Sequence, residues 1–143
     1  MTHPEAVAFL EQRAESYMRR DIPALAKAHA PDGVVHSPLF PDMKGRAAIE
    51  SSYRTLFSVF PDWELTFDPP IIDDMRVAQA FVVHATHVGE FMGLPGTGRR
   101  VKIHGALICT LSDQGIADER RVYDFTGLLI QLGVLRGKMT KAI

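Results

Sequence analysis

The sequence predicts an α+β fold, with three N-terminal helices packed on a curved, mainly antiparallel sheet and a short helix at the end. Three observations carry this expectation. Apolar residues recur at helical spacing before Pro61, the period changes to two from Trp63 onward, and the connections between the later runs are short. Strands that follow one another so closely pair antiparallel, and one face of such a sheet needs helices to cover it.

Thr2-His3-Pro4-Glu5 resembles a capping box, and Val7, Leu10, Ala14, Tyr17 and Met18 give the first helix an apolar side up to about Arg20. Asp21 can cap a second helix, IPALAKAHA, before PDG turns the chain into a brief extended run, Val34-Val35-His36. A third helix starts near Gly45, carries Ile49, Tyr53, Leu56 and Phe60 on one side, and stops at Pro61. The runs WELTF, VAQAFVVHATHVGEF, RRVKIHGALICTL and IADERRVY then read as four strands, separated by PPIIDDMR, MGLPGTG and SDQG. In the third of them, Val101, Ile103, Gly105, Leu107, Cys109 and Leu111 share the side expected to face the helices. Lys102, His104, Ala106, Ile108 and Thr110 share the other. A curved sheet closed over by helices leaves a hollow of the kind that binds small molecules.

At 143 residues, with 46% of them hydrophobic and 23% charged, the chain reads as one globular domain spanning 1–143. Sixteen basic side chains against seventeen acidic ones leave no surplus for a phosphate backbone, so nucleic acid is not an expected partner. The single cysteine, Cys109, reads as a buried thiol and fits a reducing compartment. The first twenty residues lack the features of a signal peptide, and no apolar run approaches the ~20 residues that cross a bilayer. The expected location is therefore cytoplasmic, with no membrane association.

Asp124 stands where the last strand gives way to LLIQLG. Two readings are open. A carboxyl group in a low-polarity hollow serves as general acid or base, whereas DFTG before an apolar helix, with Gly133 at its far end, is also an N-cap. His87 shares the inward side of Phe81, Val83 and Ala85, where it either hydrogen-bonds a ligand or packs in the core. His84 and His104 fall on the outer side. Residues three apart on a strand face opposite ways, so His84 and His87 cannot hold one ion together and no metal site is expected. His36 can reach the mouth of a cavity or pack in its loop, and Tyr17 and Tyr53 are core residues or ligand contacts. Trp63, opening the first long strand, is counted with the lining residues. The glycine-rich Gly93–Gly98 segment opens no helix and reads as a strand connection, and Arg99-Arg100 beside it is a solvated pair or a steering patch for anions.

The run THVGEFMGLPGTGRRV, followed by a strand and DQGIADERRVYDFTGLLIQLG, resembles the SnoaL-like polyketide cyclases. Their pattern is a Thr-His-x-Gly-Glu segment, a Gly-x-Pro-x-Thr-Gly loop, and a late Asp before a Gln-Leu-Gly ending. The resemblance implies the NTF2-like α+β cone, a homodimer or higher assembly formed through the sheet, and a cofactor-free intramolecular aldol cyclisation of a hydrophobic, carbonyl-rich small molecule. It implies that Asp124 is the acid/base aspartate, that His36 lies near a polar pocket position, that Tyr17 is an aromatic position of the first helix, and that Ser52 lies near the substrate. One departure stands out: where described cyclases carry a second pocket histidine, this chain has Leu107. Either His87 or His36 takes that polar role, or the chemistry differs.

The expected function is thus a small cyclase or isomerase in which Asp124 removes a proton flanked by carbonyls, the enolate attacks a second carbonyl, and His36, His87 or Tyr17 donates to the oxyanion. A cone-fold epoxide hydrolase is one alternative, with Asp118 and Arg120 on the parity of Asp124. A non-catalytic module that binds a hydrophobic ligand is the other.

Overall fold

The computed structural model describes residues 1–137. Helix α1 spans His3–Arg19, α2 Ile22–Lys27, α3 Arg46–Val59 and α4 Phe125–Gln131. The strands are β1 His29–Ser37, β2 Phe40–Lys44, β3 Glu64–Phe67, β4 Ile71–Asp73, β5 Arg76–Thr86, β6 Arg100–Ser112 and β7 Gly115–Tyr123. Together they form a curved, unclosed sheet in the order β2-β1-β7-β6-β5-β3, with β4 beside β5. The α+β expectation holds.

Local chemistry explains the helix ends. Thr2 accepts from the Glu5 backbone while the Glu5 carboxylate accepts from the Thr2 N–H at 2.6 Å, so the capping box closes both ways. Asp21 accepts from Ala24 N–H at 3.1 Å and starts α2. The expected second helix runs too far, however, because α2 stops at Lys27 and His29 and Ala30 already belong to β1. The Ile116 N–H donates to the Ala28 carbonyl at 2.9 Å, which draws this segment into the sheet. Gly115 permits that approach: its φ is 110°, and a Cβ there would lie 2.4 Å from the Ala28 carbonyl oxygen. Pro31-Asp32-Gly33, expected as a turn, is an irregularity within β1, where the pairing with β7 shifts between His29 and Val34.

The sheet is also not a simple meander. β1 runs parallel to β7 and antiparallel to β2, so the first strand enters the sheet beside the last. Short β2 and β4 were not expected as strands. Their few residues carry or adjoin prolines, too little for a period of two to show. β5 ends at Thr86, not near Phe91, because the Val88 and Gly89 N–H groups both donate to the Val59 carbonyl at the end of α3.

Val101, Ile103, Leu107, Cys109 and Leu111 are buried, and Lys102, His104, Ile108 and Thr110 are exposed, as the alternation of β6 requires. The buried side meets Ile49, Tyr53 and Leu56 of α3 and Leu10 and Tyr17 of α1 in one core. Burial pushes the Cys109 thiol up to about 12, so it stays protonated. α4 closes one end through buried Leu128 and Leu132, and the Gln131 amide exchanges bonds of 2.7 and 2.8 Å with the Lys102 backbone. No helix among the described residues is long and apolar enough to cross a membrane.

Candidate functional site

Three residues of β7, Glu119, Arg121 and Tyr123, alternate on the inward side of the sheet, and the first two are charged. α1 delivers Arg13, one turn from Leu10 and one from Tyr17, to the same place. Arg13 Nη1 lies 2.6 Å from Glu119 Oε1, and Arg121 Nε donates to Glu119 Oε2 at 2.7 Å. Arg121 Nη2 donates to the Tyr53 hydroxyl at 2.9 Å, and the Tyr53 and Tyr17 hydroxyls share a bond of 2.7 Å. The arginines also lie over the tyrosine rings, Arg13 over Tyr17 at 5.5 Å and Arg121 over Tyr53 at 5.3 Å.

Burial alone would push the Glu119 carboxyl up, but Arg13 and then Arg121 outweigh it and hold the group well below the usual carboxylate range. The nearby His29 has no compensation of that size. Burial lowers it to about 3, so its ring is neutral. Burial, and then Tyr53, raises the Tyr17 hydroxyl well above its ordinary value, so it remains a donor.

This network reaches the surface at a notch in the sheet. β1 pairs with β7 only as far as His36 and Arg120, whereas β7 stays paired to β6 as far as Tyr123. The chain then turns away into β2 and leaves a cleft of ≈ 400 Å³ lined by His36, Ser37, Pro38, Asp42, Arg121 and Tyr123, among others. Arg121, only 7% exposed, is among the residues lining this cleft, and its guanidinium is tied to Glu119 and Tyr53. His36 forms the rim. Its Nε2 lies 3.1 Å from Asp118 and its Nδ1 3.0 Å from Asp42, and these hydrogen bonds, Asp118 first, raise its pKa above the ordinary 6.5. Behind the cleft an edge-to-face aromatic series runs Tyr123, Phe81, Phe67, Tyr17 at 5.7 to 6.1 Å between ring centres.

Of the expected residues, His36 lines the cleft, Tyr17 and Tyr53 join the buried network without lining the cleft, and the others lie elsewhere. Asp124 is exposed; its Oδ1 accepts from the Gly127 N–H at 2.9 Å and caps α4. The expectation that its oxygens look into an enclosed hollow is corrected here, because Asp124 continues the outward parity of Asp118 and Arg120. It follows the cleft residue Tyr123 without lining the cleft. His87 is fully buried, but beyond the end of β5. Its Nδ1 accepts from the Thr97 N–H at 3.2 Å, and its ring packs between Phe60 and Phe91. Ser52 donates to the Ile49 carbonyl at 2.6 Å within α3, so its hydroxyl is already used. Leu107 and Trp63 are buried in the core, Trp63 against Phe60. Among the described residues Asp124 makes no ion pair with Arg120, and Asp118 is turned to His36. Arg100 pairs with Asp62 and Glu64 on the surface, and Arg99 donates to the Gln131 carbonyl.

Reading the sequence for function missed Arg13, Glu119 and Arg121. A signal was present. Arg13 interrupts the apolar side of the first helix at i+3 from Leu10, and Glu119 and Arg121 occupy the inward parity of the last strand. Charged residues are seldom fully buried unless paired, so charge at two core-facing positions of different elements is itself a pointer to a buried network.

The family model for SnoaL-like polyketide cyclases matches residues 8–132. Among solved structures, AclR, a hydroxylase candidate from Streptomyces galilaeus, is 28% identical, with 95% of this chain and 89% of that one covered and a TM-score of 0.83. IdmH, a candidate polyketide cyclase from Streptomyces antibioticus, is 25% identical over 93% of this chain and 100% of that one, with a TM-score of 0.74. An NTF2-like protein of unknown function from Burkholderia pseudomallei is 17% identical over 87% of this chain and 95% of that one, at a TM-score of 0.76, and speaks for the fold alone. No curated protein matches the sequence.

Proposed function

The chain belongs to the SnoaL-like polyketide cyclase family, and from that premise we propose that it is an enzyme catalysing cofactor-free, intramolecular aldol-type closure of a carbonyl-rich small molecule at the cleft beside His36. The observation that carries this reading is the position of Arg121. Arg121 is one of the residues lining the cleft and its guanidinium is fixed by Glu119 and Tyr53, so a preorganised positive charge stands close to an oxygen that gains negative charge there. A carboxylate removes a proton from a carbon between two carbonyls, the enolate carbon attacks a second carbonyl of the same molecule, and the new alkoxide takes a proton back. Protonated His36, at the rim, is suited to return that proton. The aromatic series behind the cleft supplies the apolar body against which a conjugated ligand folds.

Two carboxylates are candidates for the base: Asp42, which lines the cleft, and Asp124, which the family resemblance names but which caps α4 outside the cleft. A homodimer or higher assembly belongs to the same reading, supported by Ile108 and Val122 exposed on the outer side of the sheet.

The test is turnover of a synthetic linear 3,5,7-trioxo ester, in which attack of C2 on the C7 carbonyl closes a six-membered ring, with the cyclised product followed by its absorbance and mass. Tyr53→Phe removes the hydroxyl that accepts from Arg121, and His36→Ala removes the rim acid; each should lower kcat about tenfold or more while the fold is kept. Asp42→Asn and Asp124→Asn then separate the two bases. If neither wild type nor variants form a cyclised product, and oxygen from O2 enters the ester instead, the cyclase reading fails and the reaction suggested by the name of AclR takes its place.

A further inference from the structure

Both ring nitrogens of His36 are engaged by carboxylates, and the two carboxylates come from different strands. Nε2 lies 3.1 Å from Asp118 of β7, and Nδ1 lies 3.0 Å from Asp42 of β2. An ionised carboxylate only accepts hydrogen bonds, whereas a neutral imidazole has one N–H and one lone pair. The bracket is therefore complete only as the imidazolium. Once that proton leaves, one carboxylate faces a ring lone pair and its hold is gone.

The strand that depends on this bracket is lightly tied to the sheet. β2 is an edge strand of five residues. Val35 pairs with Met43 and Ser37 with Phe40, so His36 alone stands opposite two residues, Pro41 and Asp42. Both are exposed, and Pro41 has no N–H to donate. The His36 ring is thus what fastens this bulge by its side chain. Asp118, by contrast, belongs to a strand flanked by β1 and β6. It is also the foremost cause of the raised His36 pKa, so it retains the one N–H of the neutral ring.

The other charges around the ring do not reproduce the bracket. On β7 the ladder partner of His36 is a cation, Arg120, and Arg121 is turned inward to Glu119. On β2 the next charge is Lys44, paired with Val34. On β1 itself Asp32 is four residues away. Ile108 and Thr110 of β6, opposite Arg120 and Asp118, carry no charge. An exposed ion pair contributes little against unfolding of the whole chain, but the opening of an edge bulge is a local equilibrium close to balance. There, one lost bond shifts populations severalfold.

We infer that Asp42, His36 and Asp118 form a proton-operated clasp: protonated His36 holds Pro41-Asp42 against β1, and neutral His36 releases Asp42 and widens the cleft. Asp42 lines that cleft together with Ser37 and Pro38, so its release moves the wall. The clasp concerns the wall and not the reaction proposed inside it. It is read without substrate, so its failure and the failure of the cyclase reading are told apart.

The experiment is a nuclear magnetic resonance titration of the isotope-labelled protein from about pH 5.5 to 9, following the His36 ring and its Overhauser contacts to the β protons of Asp42 and Asp118. The contact to Asp42 should weaken at least threefold across the midpoint of the His36 titration, above 6.5, while the contact to Asp118 is kept. In Asp42→Asn the carboxamide accepts from an N–H or donates to a lone pair, so its contact to His36 should no longer change with pH. The contrast between the two carboxylates in the wild type decides the matter even if that variant fails to fold. An Asp42 contact that stays constant across the midpoint, loss of the Asp118 contact instead, or the same weakening in Asp42→Asn would each overturn the proposal.

Discussion

Glu119 and Asp124 stand five residues apart at the end of one strand, yet they live in opposite surroundings. Glu119 is fully buried between two arginines, and Asp124 is exposed at the first turn of α4. The difference follows from parity, since 119 and 124 differ by an odd number and the chain reaches the helix before any twist can bring the second carboxylate round. What it teaches is that the residue most conspicuous in a motif and the residue most constrained by its neighbours need not coincide. Glu119 is indispensable to the interior; Asp124 is locally replaceable by any good cap.

The sharpest way to break this comparison is Glu119→Gln. It leaves two buried guanidinium groups without their shared anion, and should cost about 3–5 kcal/mol of stability in chemical denaturation or prevent folding. A loss below about 1 kcal/mol would mean that the charges are solvated, and the contrast would collapse.

Next in size is the response to acid. His29 is held at about 3 in the fold against about 6.5 when unfolded, so the unfolded chain binds the extra proton and stability falls as pH drops from about 6.5. Glu119 is lowered as well. Its contribution is complete above its unfolded value near 4.5 and is lost progressively below that. The stability between pH 6.5 and 4.5 should therefore decline by up to about 1.4 kcal/mol per pH unit, and His29→Leu should flatten that slope.

Asp124→Ala removes a helix cap and should cost about 1 kcal/mol, whereas Asp124→Asn, still able to accept from Gly127, should stay within a few tenths. Thermal melts of the two variants read this directly. The smallest effect concerns the rim. The His36 ring resonances should titrate above 6.5 and move back toward 6.5 in Asp118→Asn, since Asp118 is the foremost cause of the shift. That histidine contributes stability at pH values below 6.5 and loses it as pH rises through its folded value, the opposite sign to His29.

Much of this architecture was legible in the sequence. The capping box at Thr2, the apolar sides of α1 and α3, the alternation of β6 and the cap at Asp124 all follow from spacing, because helix and strand periods are set by local backbone geometry. The places where the reading failed share a cause. His29 was read as the end of a helix because only the approach of Ile116, far along the chain, makes it a strand residue. His87 was read as part of a strand because only the docking of Val88 and Gly89 on Val59 pulls it out. Of the candidate site, the position of His36 at a cavity mouth and the burial of Tyr17 and Tyr53 on their helices could be read from the chain.

From the sequence by itself came the class of the fold, the faces of its main elements, the family motifs and the thiol that Cys109 keeps buried. Tertiary structure alone decided that Arg13 of the first helix, Tyr53 of the third and Glu119 and Arg121 of the last strand meet in one network, and that β1 leaves β7 early enough to open a cleft beside them. The physical reason is range. A backbone period is written within a few residues, but the stabilisation of a buried charge depends on a partner that only the folded chain brings within hydrogen-bonding distance.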